Sequence, residues 1–136
     1  MTTQNDLKDL TLLGNGTTKP QRKLETFPNQ HPNRRYTVKL ETDEFTAVCP
    51  MTGQPDFADL HIEYIPNERI VESKSLKLYL WSYRDEGIFH EHVTNQILDD
   101  LVAALDPHWC RVIADFKIRG GISITVTAEH TRQESE

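Results

Sequence analysis

Tyr36, Val38 and Leu40 alternate with Thr37, Lys39 and Glu41, a period of two that predicts a half-buried strand over 36–42. The same alternation returns at 58–65, where Leu60, Ile62 and Tyr64 share one face. Between them, Cys-Pro-Met-Thr-Gly-Gln-Pro-Asp at 49–56 holds two prolines and a glycine and reads as a turn. Residues 75–83 carry Leu76, Leu80 and Tyr83 at i, i+4 and i+7, which favours a helix. The clearest element is 88–105: Phe89, Val93, Ile97, Leu101 and Leu105 recur every four residues, flanked by Leu98 and Val102, as in an amphipathic helix closed by Asp106-Pro107. Residues 109–118 and 122–129 are rich in β-branched and aromatic side chains, and the Gly120-Gly121 pair between them predicts a tight hairpin. The predicted order is ββααββ, an α+β unit built from two antiparallel strand pairs.

Residues 1–32 break this regularity. Thr, Asn, Gln, Gly and Pro dominate there, so the stretch reads as a partly flexible arm ahead of a domain at 33–136. Leu7, Leu10, Leu12 and Leu13 suffice for one helical turn, and Gly14-Asn15-Gly16 ends it. A chain of 136 residues is one domain, able to bury roughly two-thirds of the surface its unfolded form exposes. Only 37% of residues are hydrophobic, which suggests either a disordered tail or elements whose core is completed by another subunit. The net charge of −6 is spread evenly, with no basic block, so direct nucleic-acid binding is not expected. No apolar run is long enough to span a membrane, and the first residues resemble no signal peptide, so a cytoplasmic location is expected.

The chemistry narrows by elimination. Neither a GxGxxG nor a phosphate-binding GxxxxGK[ST] loop is present, so a dinucleotide cannot rest on a glycine-rich turn. Cys49 and Cys110 are too few for a disulfide framework and lack metal-site spacing, and His90 and His92 at i, i+2 do not share a helix face, so no metal is expected. Cys110 reads as a small buried side chain in a strand. Cys49, after the apolar Phe-Thr-Ala-Val run and before Pro50, reads as a partly exposed thiol on a turn. Asp56 follows on the same turn, where it serves either as a local turn cap or as an acid partner for the thiol. Glu91 opens the long helix, either as a favourable first-turn acid or as a fixed acceptor for a guanine-like edge with two adjacent N–H donors. Lys74 and Lys77 share a helical face and Arg119 lies at the hairpin; they are either solvated charges or phosphate contacts.

Taken together, the Cys49–Asp56 turn, Glu72-Ser-Lys-Ser-Leu-Lys-Leu-Tyr79, Phe89-His90-Glu91 and Arg119-Gly-Gly-Ile-Ser resemble the NADPH-dependent 7-cyano-7-deazaguanine reductases, the nitrile reductases of queuosine biosynthesis in their short single-module form. The resemblance spans about residues 33–127. It implies the tunnelling fold, in which ββααββ units with helices on one face close edge to edge into an oligomeric barrel, with stacked rings and active sites between subunits. It implies Cys49 as the nucleophile that forms a covalent thioimide and Asp56 as proton donor. It assigns Val71, Glu72, Ser73, His90 and Glu91 to the substrate, 7-cyano-7-deazaguanine, and Lys74, Lys77 and Arg119 to NADPH. Some members carry a second cysteine two residues after the His-Glu pair; Val93 stands there in this chain. A zinc cyclohydrolase of the same fold, using Cys49, Cys110 and a histidine, and a non-catalytic purine-binding module are the alternatives.

Overall fold

A computed structural model of the chain describes residues 1–10 and 19–133. The expected Leu12, Leu13 and Gly14–Gly16 turn lies outside them. Four long strands, β2 (Val38–Val48), β3 (Pro55–Ile65), β5 (Trp109–Arg119) and β6 (Ile122–Thr131), form an antiparallel sheet in the order β2-β3-β5-β6. Two helices, α2 (Ser73–Trp81) and α3 (His90–Leu105), lie between the strand pairs in sequence. The predicted ββααββ order is therefore observed. It is extended by a four-residue helix, α1 (Gln4–Leu7), and by two short strands, β1 (Thr26–Pro28) and β4 (Arg69–Val71), which pair with each other.

β1 falls within the stretch expected to be a loose arm. Three-residue strands carry no periodic signal, and their pairing across more than forty residues is invisible to local pattern. Glu72 N–H donates to the Glu25 carbonyl at 2.9 Å, and Glu25 N–H donates to the Ser75 hydroxyl at 2.9 Å. The amino-terminal stretch is thus bonded to the start of α2.

The core lies between the sheet and α3. On β3 every second residue from Asp56 through Ala58, Leu60, Ile62 and Tyr64 is buried, and on β5 Cys110, Val112, Ala114 and Phe116 face the same side. α3 contributes Val93, Ile97, Leu98, Leu101 and Leu105, as its four-residue spacing predicts. Phe89 departs from that stripe: it precedes the first helical turn as N-cap, is 49% exposed, and meets His92 edge-on. Both glycines of the β5–β6 turn have positive φ, 60° and 78°, as a two-residue hairpin of type I′ requires.

Two bulges reset which face the strands present. On β2, Thr42 pairs with Leu60 but Phe45 pairs with Ala58, so two residues oppose one. The inward side switches from the even positions 38, 40 and 42 to the odd positions 45 and 47. On β5, Phe116 pairs with Ile124 but Arg119 pairs with Ile122, and the parity switches again.

Candidate active site

Cys49 follows the last residue of β2, and the pairing of Val48 with Pro55 closes the hairpin around it. Its N–H donates to the Gln54 carbonyl and its carbonyl accepts from Gly53 N–H, each at 2.8 Å. Gly53 has φ 72°, the left-handed conformation that lets so short a turn close. Asp56 was expected on this turn; it lies instead on β3, paired with Ala47. Pro55 begins the strand, the one strand position where a missing N–H is readily tolerated, and so the turn is shorter than its composition implied. Cross-strand partners share a face, and residues two apart on a strand do too. Ala47 therefore relates Cys49 to Asp56: both side chains leave the hairpin on the helix side. Without the β2 bulge Cys49 would point away.

The start of α3 is fastened to the same place. Val48 N–H donates to the Glu86 carbonyl at 3.0 Å and Ile88 N–H donates to the Val48 carbonyl at 3.1 Å. A Cβ at Gly87 would stand 3.2 Å from the Pro50 backbone, so a larger residue there would have to push the turn back by a few tenths of an ångström. It delivers His90 to Asp56, with Nε2 3.1 Å from Oδ2. The His90 ring stacks on Phe116, centroids 3.9 Å apart and 17° from parallel. Arg119 meets the other oxygen, Nη1 donating to Asp56 Oδ1. Asp56, only 6% exposed, is thus held by one cationic or polar donor on each carboxylate oxygen. Arg119 Nη2 also donates to Gln54 and, at 3.5 Å, to the Thr52 hydroxyl.

The Cys49 thiol is held below the ordinary thiol range, chiefly by the Thr52 hydroxyl, then by the backbone N–H groups of Thr52 and Met51, with a smaller contribution from the Arg119 charge. Burial instead pushes Cys110 up to about 12. Along β3 the two cysteines stand opposite Gln54 and Tyr64, ten residues apart, so about 30 Å separates them. That distance rules out both a shared zinc ion and a disulfide within one chain. Among the described residues no three His, Cys, Asp or Glu side chains are grouped to hold a metal.

The remaining expected residues divide. Glu91 is exposed on the first turn of α3, beside His90 in sequence. Glu72 is buried as N-cap of α2; its carboxylate accepts from the N–H groups of Lys74 and Ser75 at 2.8 Å. The Val71 N–H donates to the Tyr64 hydroxyl at 3.1 Å. Ser73 and Lys77 open on a groove of about 530 Å³ between α2 and β2, floored by Leu40, Leu60 and Ile62. Arg119 lines a separate cleft of about 160 Å³ with Asp56 and Phe116. The expected cationic cluster is therefore split within one chain: Lys77 opens on the groove along α2, and Arg119 lies against Asp56. Thr52, Gln54, Phe116 and Gly87 belong to the site but were given no role from sequence. Thr52 and Gln54 lie inside the Cys49–Asp56 motif, which was the one available signal for them.

A family model described as "QueF-like protein" matches residues 55–135. The chain is 71% identical to an NADPH-dependent 7-cyano-7-deazaguanine reductase of Syntrophus aciditrophicus over 131 residues, covering 96% of this chain and 93% of the relative. It is 63% identical to the protein of that name from Anaeromyxobacter dehalogenans over 113 residues, covering 83% and 93%. Among solved structures, the apo form of the archaeosine synthase QueF-Like superposes with a TM-score of 0.64 at 29% identity, covering 68% of this chain and 91% of that one. The fold is the tunnelling fold of that structural relative, and the chain belongs to the QueF-like protein family.

Proposed function

We propose that the chain reduces the nitrile of 7-cyano-7-deazaguanine to the primary amine with NADPH, the step that the sequence resemblance places in queuosine biosynthesis. The likeness to reductases of that name along nearly the whole chain supports the reaction. The observation that carries the mechanism is local: a thiol with a lowered pKa and a buried carboxyl group leave one hairpin on the same face.

The Cys49 sulfur adds to the nitrile carbon. One C≡N π pair moves to nitrogen, which takes a proton from Asp56, and the thiol proton restores Asp56, leaving a neutral thioimide. NADPH, when bound, would supply one hydride to that carbon with a proton going to nitrogen, and, once Cys49 has left as the thiol with a proton from that nitrogen, a second hydride and proton to the resulting imine. Glu91, a carboxylate with two acceptor oxygens, binds the guanine-like edge with His90 adjoining it, and the backbone at Val71, Glu72 and Ser73 lines the base. The groove along α2 suits the cofactor, because its apolar floor accepts a flat ring and Lys74 and Lys77 stand on that helix for phosphates. Glu41 and Glu44 line its opposite side, so the phosphates belong toward the lysines.

The site is completed by a second copy. Phe57, Ile118, Ile122 and Met51 are between 49% and 82% exposed around the Cys49–Asp56 hairpin and the β5–β6 turn. β2 and β6 are the two edge strands of the sheet. Edge-to-edge joining of copies into a barrel, with rings stacked, would cover those side chains and bring one subunit's α2 groove toward its neighbour's Cys49. A cytoplasmic location accords with two free thiols.

Mass spectrometry after mixing protein and nitrile without NADPH tests this. The wild type and Cys110→Ala gain the mass of one nitrile, and Cys49→Ala gains none; an adduct on Cys49→Ala removes the proposed nucleophile.

A further inference from the structure

We propose that Arg119 is a positioning residue for the covalent step, bracing the Cys49–Asp56 hairpin and aiming the Asp56 carboxylate, and not primarily a phosphate contact. The proposal rests on the thioimide route given above.

Three observations carry it. The β5 bulge turns Arg119 from the outward face, where its odd-numbered neighbours Ile113 and Asp115 point, to the helix side that carries Phe116. There its guanidinium meets three acceptors on one segment: the Asp56 carboxylate, the Gln54 side chain and the Thr52 hydroxyl. Thr52 in turn bonds to the Cys49 sulfur. A single fork thus spans the hairpin from the acid to the hydroxyl that holds the nucleophile.

The chemistry needs such a brace. The proton that leaves sulfur must reach Asp56, and the proton on Asp56 must face the nitrile nitrogen while the S–C bond forms. Asp56 Oδ2 is held by His90 and Oδ1 by Arg119, so the carboxylate plane is set from two sides. With Arg119 removed, Asp56 rotates about one remaining contact and Thr52 loses a partner. A guanidinium occupied by three acceptors on one loop is also a poor free anion site, so the cofactor's phosphates are left to the α2 lysines.

The test uses the full chain mixed with 7-cyano-7-deazaguanine in the absence of NADPH, quenched at intervals and read by intact mass. At saturating nitrile, Arg119→Ala is expected to form the adduct more slowly by on the order of tenfold to a hundredfold, the scale of rate loss from misplacing a reacting group by about 1 Å. Its final amplitude stays at one per chain, whereas Lys39→Ala, which removes an exposed cation paired with Glu41 on β2, forms the adduct at the wild-type rate. Millimolar guanidinium ion restores part of the rate to Arg119→Ala, and Arg119→Lys is intermediate. A wild-type adduct rate in Arg119→Ala overturns the proposal. So does a reduced amplitude with an unchanged rate, or a slow rate that neither guanidinium nor Arg119→Lys improves, because each marks a structural role alone. Failure of the wild type itself to form an adduct overturns the thioimide route beneath it, a result distinct from either.

Discussion

Cys49 and Cys110 share a side chain and differ in everything around it. Hydrogen bonds from the Thr52 hydroxyl and two backbone N–H groups favour the Cys49 thiolate, while burial disfavours that of Cys110. The thiolate is the reactive form, so a lowered pKa means more of it at a given pH. Iodoacetamide should therefore label the folded protein once, at Cys49, with a rate whose pH midpoint lies below that of a free cysteine peptide. Thr52→Val should move that midpoint up; labelling of both thiols, or an unmoved midpoint, contradicts the assignment. Glu91 makes a second prediction at this scale. Glu91→Gln replaces an acceptor oxygen by a donor that would face substrate N–H groups. Loss of the charge-assisted pair should weaken nitrile binding by about 2 to 4 kcal/mol. Titration calorimetry on a Cys49→Ala background reads it without the covalent step, and unchanged affinity would show that the base is anchored elsewhere.

Elements meet the site through backbone contacts more than through long side chains. β4 leads into α2, and its position is set by β1 on one side and by the Tyr64 hydroxyl, which accepts from Val71 N–H, on the other. Burial pushes the Tyr64 phenol up to about 12, so it remains protonated across the working range of pH. Tyr64→Phe should leave the Val71 N–H unsatisfied and lower unfolding stability by about 1 to 3 kcal/mol in urea titrations. It should also weaken substrate binding, because the segment at 71–73 loses its anchor. Stability equal to wild type would mean that another acceptor takes over. The helix and strand types were readable from spacing alone at this scale: β3 and α3 bury the residues their periods indicate. The β1–β4 pair was not, since three residues offer no period and its partners are remote in sequence.

At the scale of the molecule, charge and open edges matter most. The chain is acidic overall, yet its NADPH groove is proposed to rely on two exposed or half-exposed lysines. Salt screens exposed charges, with a Debye length of about 8 Å at physiological ionic strength. The Michaelis constant for NADPH should therefore rise with ionic strength, and Lys74→Ala and Lys77→Ala should each raise it and flatten that dependence. Steady-state kinetics across a salt series checks this; constants independent of salt would place the cofactor away from the lysines. No described helix is long and apolar enough to cross a membrane. The outer edges of β2 and β6, unpaired among the described residues, are where the proposed barrel would close, and sedimentation velocity should then show multiples of 15.7 kDa; a monomer alone would contradict it.

Alternation and four-residue spacing by themselves determined the order of the main elements, the antiparallel hairpins and the faces of β3 and α3, because these follow from the geometry of a single element. The Gly120-Gly121 turn was equally local, requiring only two residues that accept positive φ. The motif resemblance marked Cys49, Asp56, His90 and Arg119 without saying how they meet. That was decided by the tertiary structure. Each bulge inserts one residue into a ladder, which reverses the inward face of the strand beyond it; Phe45 and Ala47 carry that reversal in β2, but their spacing does not say which residues the turned strand will meet. The β2 bulge turned Cys49 toward Asp56, and the β5 bulge turned Arg119 toward it from sixty-three residues away. Chemistry at this site depends on pairing register, a property of two strands together that neither carries alone.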